Sequence, residues 1–426
     1  MKTKIAIIGA GPSGLTLAHA LLRRGVGDFI VLEREADAGG LCRTRIVDGS
    51  PLDIGGGHFL DVRRPTVTEF VFGFMPESEW NRFDRDSRIS IHGQTIGSPF
   101  EANIWQLDEA HQKRYLADIA AAGCNAGVPM PEKFVDWIYW KLGRGIAEDY
   151  MLPYNRKMFG DDLNILGTYW LDKLPSVSYE DTLRSCEERR PHAVQPGHAV
   201  FFYPKAFGIG EAWRRMAEAL DGRLLLGEPA RTLDVASRTV NGTIEADVVV
   251  NTAPWPAFER IDGLSPESRA TIARLRHTSV DVDYVPETLD TPAQWIYLPD
   301  PDIPEHRLLV RSNFAADRGG TGGRRGASAT FRSGPARSAT PRSIPIRSTR
   351  SGRTSRWRRF WPKRRKAASS ASAAGASGST TTPTSSWSAL SRWRNGSPLC
   401  GSAGSTGHSA RSVWATESAA LQELLV

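Results

Sequence analysis

The sequence predicts an α/β fold: a three-layer Rossmann domain assembled from discontinuous segments, an α+β domain inserted into it, and a low-complexity basic tail. Three observations carry that expectation. Residues 4–33, KIAIIGAGPSGLTLAHALLRRGVGDFIVLE, read as strand, glycine turn, helix and strand. Strand–helix alternation then lapses over residues 61–195 and resumes near residue 196. Near Ala316 the composition changes abruptly.

The first stretch justifies itself residue by residue. Ile5, Ala6, Ile7 and Ile8 form an apolar strand that runs into Gly9, Gly11 and Gly14. Leu15, Leu17, Ala18, Leu21 and Leu22 recur at helical spacing, Gly25 and Gly27 end the helix, and Phe29–Glu33 is a second strand. The G-x-G-x-x-G spacing has a mechanism. Gly9 permits the tight turn, Gly11 lets backbone approach a pyrophosphate, and Gly14 lets helix and strand pack closely. Pro12 and Ser13 lie inside the turn, where the helix N–H groups face the phosphates. Glu33, about 20 residues past the glycines, is placed to accept hydrogen bonds from ribose hydroxyls, with Arg34 beside it. A dinucleotide is therefore the expected ligand.

At 426 residues the chain has room for two or three domains. It holds no run of 18 apolar residues, so no membrane span is expected, and no cleavage-site pattern of a signal peptide follows Lys2 and Lys4. Four cysteines (Cys42, Cys124, Cys186, Cys400) lack metal-type spacing and fit a reducing, cytoplasmic setting. The net charge of +7 divides unevenly. Residues 1–317 carry 35 Lys+Arg against 45 Asp+Glu, whereas residues 318–426 carry 19 against 2.

Beyond Glu33, the Gly39-Gly40 pair with Leu41, Cys42, Arg43 and Thr44 suggests a loop whose amides and Arg43 reach a second phosphate. In Asp53-Ile54-Gly55-Gly56-Gly57-His58-Phe59, the three glycines bring bare backbone close to something flat or charged. This constellation resembles the flavin-binding start of the amine oxidase and protoporphyrinogen oxidase superfamily, and within it the UDP-galactopyranose-mutase-like branch. The likeness covers roughly residues 4–316 and is strongest in the first 60. It implies FAD as cofactor, held by Gly9, Gly11, Pro12, Ser13, Gly14, Glu33, Arg34, Gly40, Leu41, Arg43 and Gly55 to Phe59. It also implies that His58 is the catalytic candidate, the polar group nearest the ring, although a hydrogen-bonded structural histidine reads the same.

In the insert (residues 61–195 and 257–316), IHGQTI reads as a hairpin around His92-Gly93. QKRYLADIAAAG and KFVDWIYWKLGRGIAEDYMLPYNRKMF read as helical, with Phe134, Trp137, Ile138, Leu142 and Ile146 as core. The resemblance makes Tyr154 and Lys157 candidates for an anionic substrate, against the alternative of a surface turn with a solvated lysine. Residues 196–256 return to the Rossmann domain. Tyr203-Pro204-Lys205, with Gly208 and Gly210, resembles the segment passing over the cofactor, and Asn241-Gly242 marks a hairpin. The resemblance places Ala230 beside the adenine, and Thr252 and Ala253 at the crossover that meets the cofactor. It offers Arg307 and Arg311, on the strand HRLLVRSNFA, as further substrate contacts.

From Arg318 to Thr416 there is no Asp, Glu, Tyr or Met. One reading is a disordered basic tail with interleaved tryptophans, acting as a nucleic-acid binder. The other is a coding-frame slip. GC-rich codons for Ser369 to Leu390, shifted by one base, read VVGLGRWGEWQHHNSDVVVERA, which resembles the superfamily's C-terminal flavin motif. On that reading the tail is disordered, and a chain lacking the motif binds FAD poorly or not at all and is inactive. The function expected is an FAD-dependent oxidoreductase moving a hydride between a small-molecule substrate and flavin. A mutase of sugar nucleotides is the alternative, and the nucleic-acid binder a third. A plain nicotinamide dehydrogenase would not need GGLCRT and DIGGGHF.

Overall fold

The computed structural model describes residues 1–315 except 48, 169–170, 172–176, 193–198 and 286–288, together with the backbone of 328–335 and 346–348. The strand Lys2–Ile8 is the centre of the first sheet. It pairs in parallel with Phe29–Glu33 on one side and Ile244–Asn251 on the other. Leu224–Leu226 extends one edge in parallel, while Thr239–Val240, Thr232–Asp234 and Arg260–Asp262 continue the other.

Ala6–Ile8 and Phe29–Leu32 are buried on both faces of this sheet, which is why these stretches are continuously apolar rather than alternating. Ile7 and Val31 face helix α1 (Pro12–Arg23) through Leu15 and Ala18, whereas Ala6, Ile8, Ile30 and Leu32 pack with Leu233, Val240, Ile244 and Ile261. The hairpin signal holds: Asn241 and Gly242 have φ of 54° and 68°, the pair of left-handed residues that a tight hairpin turn needs.

The second sheet runs Ile346–Ser348, Thr278–Val285, Ser328–Pro335, Arg307–Val310, Trp295–Tyr297, Ser87–Ile91 and Gln94–Gly97. Its last two strands are the expected hairpin, turning at His92 and Gly93 with φ of 51° and 70°. Helices α2 (Pro65–Phe72), α3 (Glu109–Ala120), α4 (Phe134–Ile146), α5 (Leu152–Phe159) and α6 (Tyr179–Glu188) belong to the insert. The expected aromatic and aliphatic stripe of α4 is core, with Phe134, Trp137, Ile138, Leu142 and Ile146 buried. Gly143 breaks that helix with φ of 70°, because a Cβ there would lie 2.3 Å from the Asp118 carbonyl oxygen.

Three boundaries differ from the expectation. Val200–Pro204, placed above with the Rossmann segments, pairs antiparallel with Leu60–Asp61 and Trp80–Asp84 in a separate three-stranded sheet. The segment returns to the first sheet's layer at α7 (Gly210–Glu218), which packs on α1 where His19 Nε2 meets the Met216 carbonyl at 2.7 Å. Arg260–Asp262, assigned above to the insert, instead completes the first sheet, with α8 (Pro266–Arg274) following it. Ser328–Pro335, assigned to the disordered tail, lies between Thr278–Val285 and Arg307–Val310. Ladder bonds use only backbone N–H and C=O, so a strand held this way needs no apolar period, and the sequence carries no sign of it. The shifted-frame stretch at residues 369–390 and the basic, tryptophan-bearing run lie outside the described residues.

Candidate cofactor and substrate site

The glycine turn has the geometry its spacing requires. Gly9 has φ of +99°, and a Cβ on it would meet Thr252 Oγ1 at 2.8 Å. A Cβ on Gly14 would stand 1.9 Å from the Gly9 carbonyl oxygen, so helix and strand touch through bare backbone. Gly11 is the N-cap of α1 and Pro12 its first residue, where the missing N–H costs nothing. No side chain caps this helix, so the first N–H groups around Ser13 are left for a ligand, with the positive end of the helix behind them. Gly40 (φ +54°) brings a second stretch of bare backbone alongside, its would-be Cβ 3.1 Å from Gly11 Cα.

The crossover expected at Thr252 and Ala253 closes the same turn. Thr252 Oγ1 donates toward the Ile8 carbonyl at 2.8 Å and lies 3.2 Å from that of Gly9. The Ala253 amide donates to Asn251 Oδ1, whose own Nδ2 is buried with no hydrogen-bond partner among the described residues. Ala230 is half-buried on the opposite face of the first sheet, packed against the Leu233–Val240 cluster.

Two residues expected to reach ligand are engaged by the protein itself. Glu33 is buried, and its two carboxylate oxygens accept the amides of Ala10 (2.8 Å) and Glu35 (3.0 Å). It therefore holds the turn, with one lone pair per oxygen remaining for a hydroxyl. Arg43 donates from Nε to the Gly40 carbonyl and pairs with Glu35 at 3.2 Å, which fixes the 39–43 loop rather than leaving a free cation. Arg34 also pairs with Glu35. Leu41 is exposed at the lip.

The DIGGGHF segment is built for close approach. A Cβ on Gly55 would lie 2.4 Å from His58 Nε2 and 2.7 Å from the Leu41 carbonyl oxygen, Gly56 has φ of +74°, and a Cβ on Gly57 would meet Leu309 at 3.0 Å. Burial pushes the His58 imidazole below the usual histidine range; Asp53 opposes this and the Arg307 charge adds to it, so the ring is neutral at pH 7. Phe59 packs on Phe201 and, edge-on, on Trp295.

Beneath that loop lies a feature the sequence reading missed. Asp53 is fully buried. Its Oδ1 accepts from Thr44 Oγ1 (2.6 Å) and the Ile209 amide (3.2 Å), and its Oδ2 from the Tyr203 hydroxyl (2.5 Å) and Arg311 (3.2 Å). Arg311, expected to face substrate, is 1% exposed; it also donates to the Pro51 carbonyl at 2.8 Å, within reach of three rings. That expectation is corrected: a cation so enclosed cannot contact a diffusing substrate. The available signal was an arginine directly after the apolar run Leu308-Leu309-Val310, matched by one acid inside a glycine-rich segment.

The other substrate candidates converge. Tyr154 is buried with its ring centroid 5.4 Å from Tyr297 and 6.0 Å from His306. Burial raises the Tyr154 phenol, with Arg307 and Arg85 opposing. For Tyr297 the same two arginines outweigh burial and bring it below the usual range. Lys157 donates to the carbonyls of Leu298 and Glu305, and burial brings its amine down to about 8 against the pull of Asp300 and Glu305. The solvated-lysine alternative therefore does not hold.

Arg85, also missed, stacks 4.4 Å over Trp295 and donates to Ser87 Oγ (2.8 Å) and the Tyr297 hydroxyl (3.1 Å). It pairs with no carboxylate among the described residues. Those residues hold no His/Cys/Asp/Glu cluster fit for a metal, and no helix long and apolar enough to cross a membrane.

Comparison with known proteins agrees with this geometry. Residues 7–72 match the NAD(P)-binding Rossmann-like domain family. Over 98 residues the chain is 35% identical to a Baeyer-Villiger monooxygenase of Streptomyces coelicolor, a match covering 23% of this chain and 17% of that protein. A second relative, an uncharacterized protein from the nifH2 3′ region of Methanothermococcus thermolithotrophicus, is 48% identical over 52 residues, covering 12% of this chain and 49% of its own length. The chain thus spans less than two thirds of either relative.

Among solved structures, reduced UDP-galactopyranose mutase superposes with a TM-score of 0.70 at 24% identity, covering 80% of this chain and 76% of that one. Cyclohexylamine oxidase from Brevibacterium oxydans IH-35A gives 0.51 at 17%, covering 78% and 75%. The class the fold defines is α/β with a Rossmann-like domain. More particularly, the chain has the fold of UDP-galactopyranose mutase and, less closely, of cyclohexylamine oxidase.

Proposed function

We propose that the protein is an FAD-dependent oxidoreductase of the amine oxidase and protoporphyrinogen oxidase type. One observation carries the reading. Two stretches of bare glycine backbone, Gly9–Gly14 and Gly39–Gly40, lie together at an uncapped helix N-terminus, where a Cβ on Gly40 would stand 3.1 Å from Gly11 Cα, and a third, at Gly55, packs on the Leu41 carbonyl of the same loop. The α1 amides and the Gly39–Gly40 backbone would hold the pyrophosphate, and Glu33 the ribose. Gly55 to Phe59 would lie against the ring. Bound there, FAD supplies hydride acceptance from a small-molecule substrate.

The chain's own part is to bind, orient and exclude water. Neutral His58 offers one N–H donor and one acceptor, and Phe59, Trp295 and Phe201 make a dry wall. Titrating the full chain and its frame-restored version with FAD and following flavin fluorescence tests the reading; no saturable change in either would refute it.

A second reading, a mutase acting on a sugar nucleotide, is favoured by the basic groups Lys157, Arg307 and Arg85 around Tyr154 and Tyr297. Product analysis separates the two. A mutase returns an isomer with no electron acceptor consumed, whereas an oxidoreductase consumes one.

The tail is read as a frame slip near Ala316. Resequencing the DNA across codons 300–426 tests it. A missing or added base restores GRWGEWQHHNSD, and an intact frame refutes the slip.

A further inference from the structure

The buried Asp53–Arg311 pair joins two chain segments that each carry a group facing the proposed site. One is Ser50–Asp53 with the loop through His58 and Phe59; the other is Arg307–Val310 with the single turn Arg311–Asn313. Asp53 and His58 lie on the first segment, Arg307 and Arg311 on the second. The segments touch directly at Gly57 and Leu309, where a Cβ would come within 3.0 Å. The loop also hangs from Asp53 by its backbone: the Gly56 amide donates to the Asp53 carbonyl at 3.0 Å, and that same carbonyl accepts the Tyr284 hydroxyl at 2.6 Å. Both strands of the second sheet that flank Ser328–Pro335 therefore reach this one residue.

Stability alone is a poor reason for such a pair. Desolvating two charges offsets most of their attraction, and apolar substitutes of similar size are often as stable. Here the arrangement also leaves the Arg311 Nε–H buried with no hydrogen-bond partner among the described residues, which a device selected for stability would avoid. What the pair offers is direction. A carboxylate with both oxygens doubly engaged and a planar guanidinium bound at two of its nitrogens admit very few relative placements.

We infer that Asp53 and Arg311 are positioning residues, a buried latch that sets the Gly55–Phe59 loop, and with it His58, against the segment carrying Arg307. The role in ligand placement rests on the proposed function; the latch itself does not.

The test is hydrogen–deuterium exchange on the ligand-free full chain, comparing wild type, Arg311→Met and the double variant Asp53→Asn/Arg311→Met. Arg311→Met should exchange at Ile54–Phe59 at least about tenfold faster, with the central strand Lys2–Ile8 unchanged. The double variant, whose network is neutral, should regain the melting temperature lost by Arg311→Met yet keep the fast loop. Equal acceleration at both segments, no acceleration, or a loop that recovers together with the melting temperature would each overturn the inference. Selective loosening of the loop in a protein whose wild-type and frame-restored chains both bind no FAD would refute the cofactor reading and sustain the latch.

Discussion

Gly14→Ala tests the cradle at its tightest point. The new Cβ would stand 1.9 Å from the Gly9 carbonyl oxygen, and real contacts essentially never fall below 3.0 Å, so something must move by about 1 Å. The turn is poorly able to give. The Gly9 amide is held by the Leu32 carbonyl at 2.8 Å, and Thr252 Oγ1 sits between the Ile8 and Gly9 carbonyls. Helix α1 must shift instead, disturbing Leu15 and Ala18, both fully buried. Overpacking of this kind costs about 1–3 kcal/mol, and the gain in helix propensity of alanine over glycine returns at most about 1. The expected net loss is about 1–2 kcal/mol, read by urea unfolding. FAD affinity should fall at least about tenfold, because the helix N–H groups would move about 1 Å off the phosphates. A Gly14→Ala protein with unchanged unfolding midpoint and FAD affinity would refute the packing argument.

Three further outcomes follow from the same geometry. Thr252→Val removes the hydroxyl donor to the turn carbonyls and should cost about 1 kcal/mol in urea unfolding, with no change in m-value. Lys157 titrates near 8 in the folded chain and at 10.5 when unfolded, so between those values only the unfolded state holds the proton and stability rises with pH. Discounted for partial exposure, the rise is about 1 kcal/mol between pH 8 and pH 10.5, and Lys157→Met should abolish it in paired unfolding curves. Arg85→Met removes the cation over Trp295 and should cost about 1 kcal/mol, with a shift in tryptophan emission.

The geometry of the glycine-rich turns was legible because glycine reports backbone conformation directly. Gly9, Gly14 and Gly55 are where they are because a Cβ would collide, and that constraint survives in a bare sequence. The Asn241-Gly242 and His92-Gly93 turns were legible for the same reason. Charged side chains were not. Arg307 and Arg311 flank the same apolar run, and that run does not say which of them is buried on an acid 258 residues away. Glu33 and Arg43 were placed correctly in the chain, but their partners are amides and a neighbouring glutamate that only the folded loops bring near. Strand Ser328–Pro335 was invisible because its neighbours, not its own residues, define its slot.

The measurement that bears most directly on the central claim is an FAD titration of the full chain beside a version with the frame restored after Ala316. The account predicts saturable binding of one flavin per chain in the frame-restored version, and weak or no binding in the chain as written, which on the frame-slip reading lacks the closing GRWGEWQHHNSD segment. Failure of both proteins to saturate with FAD would contradict the cradle assigned to Gly9–Gly14, Gly39–Gly40 and Gly55–Phe59.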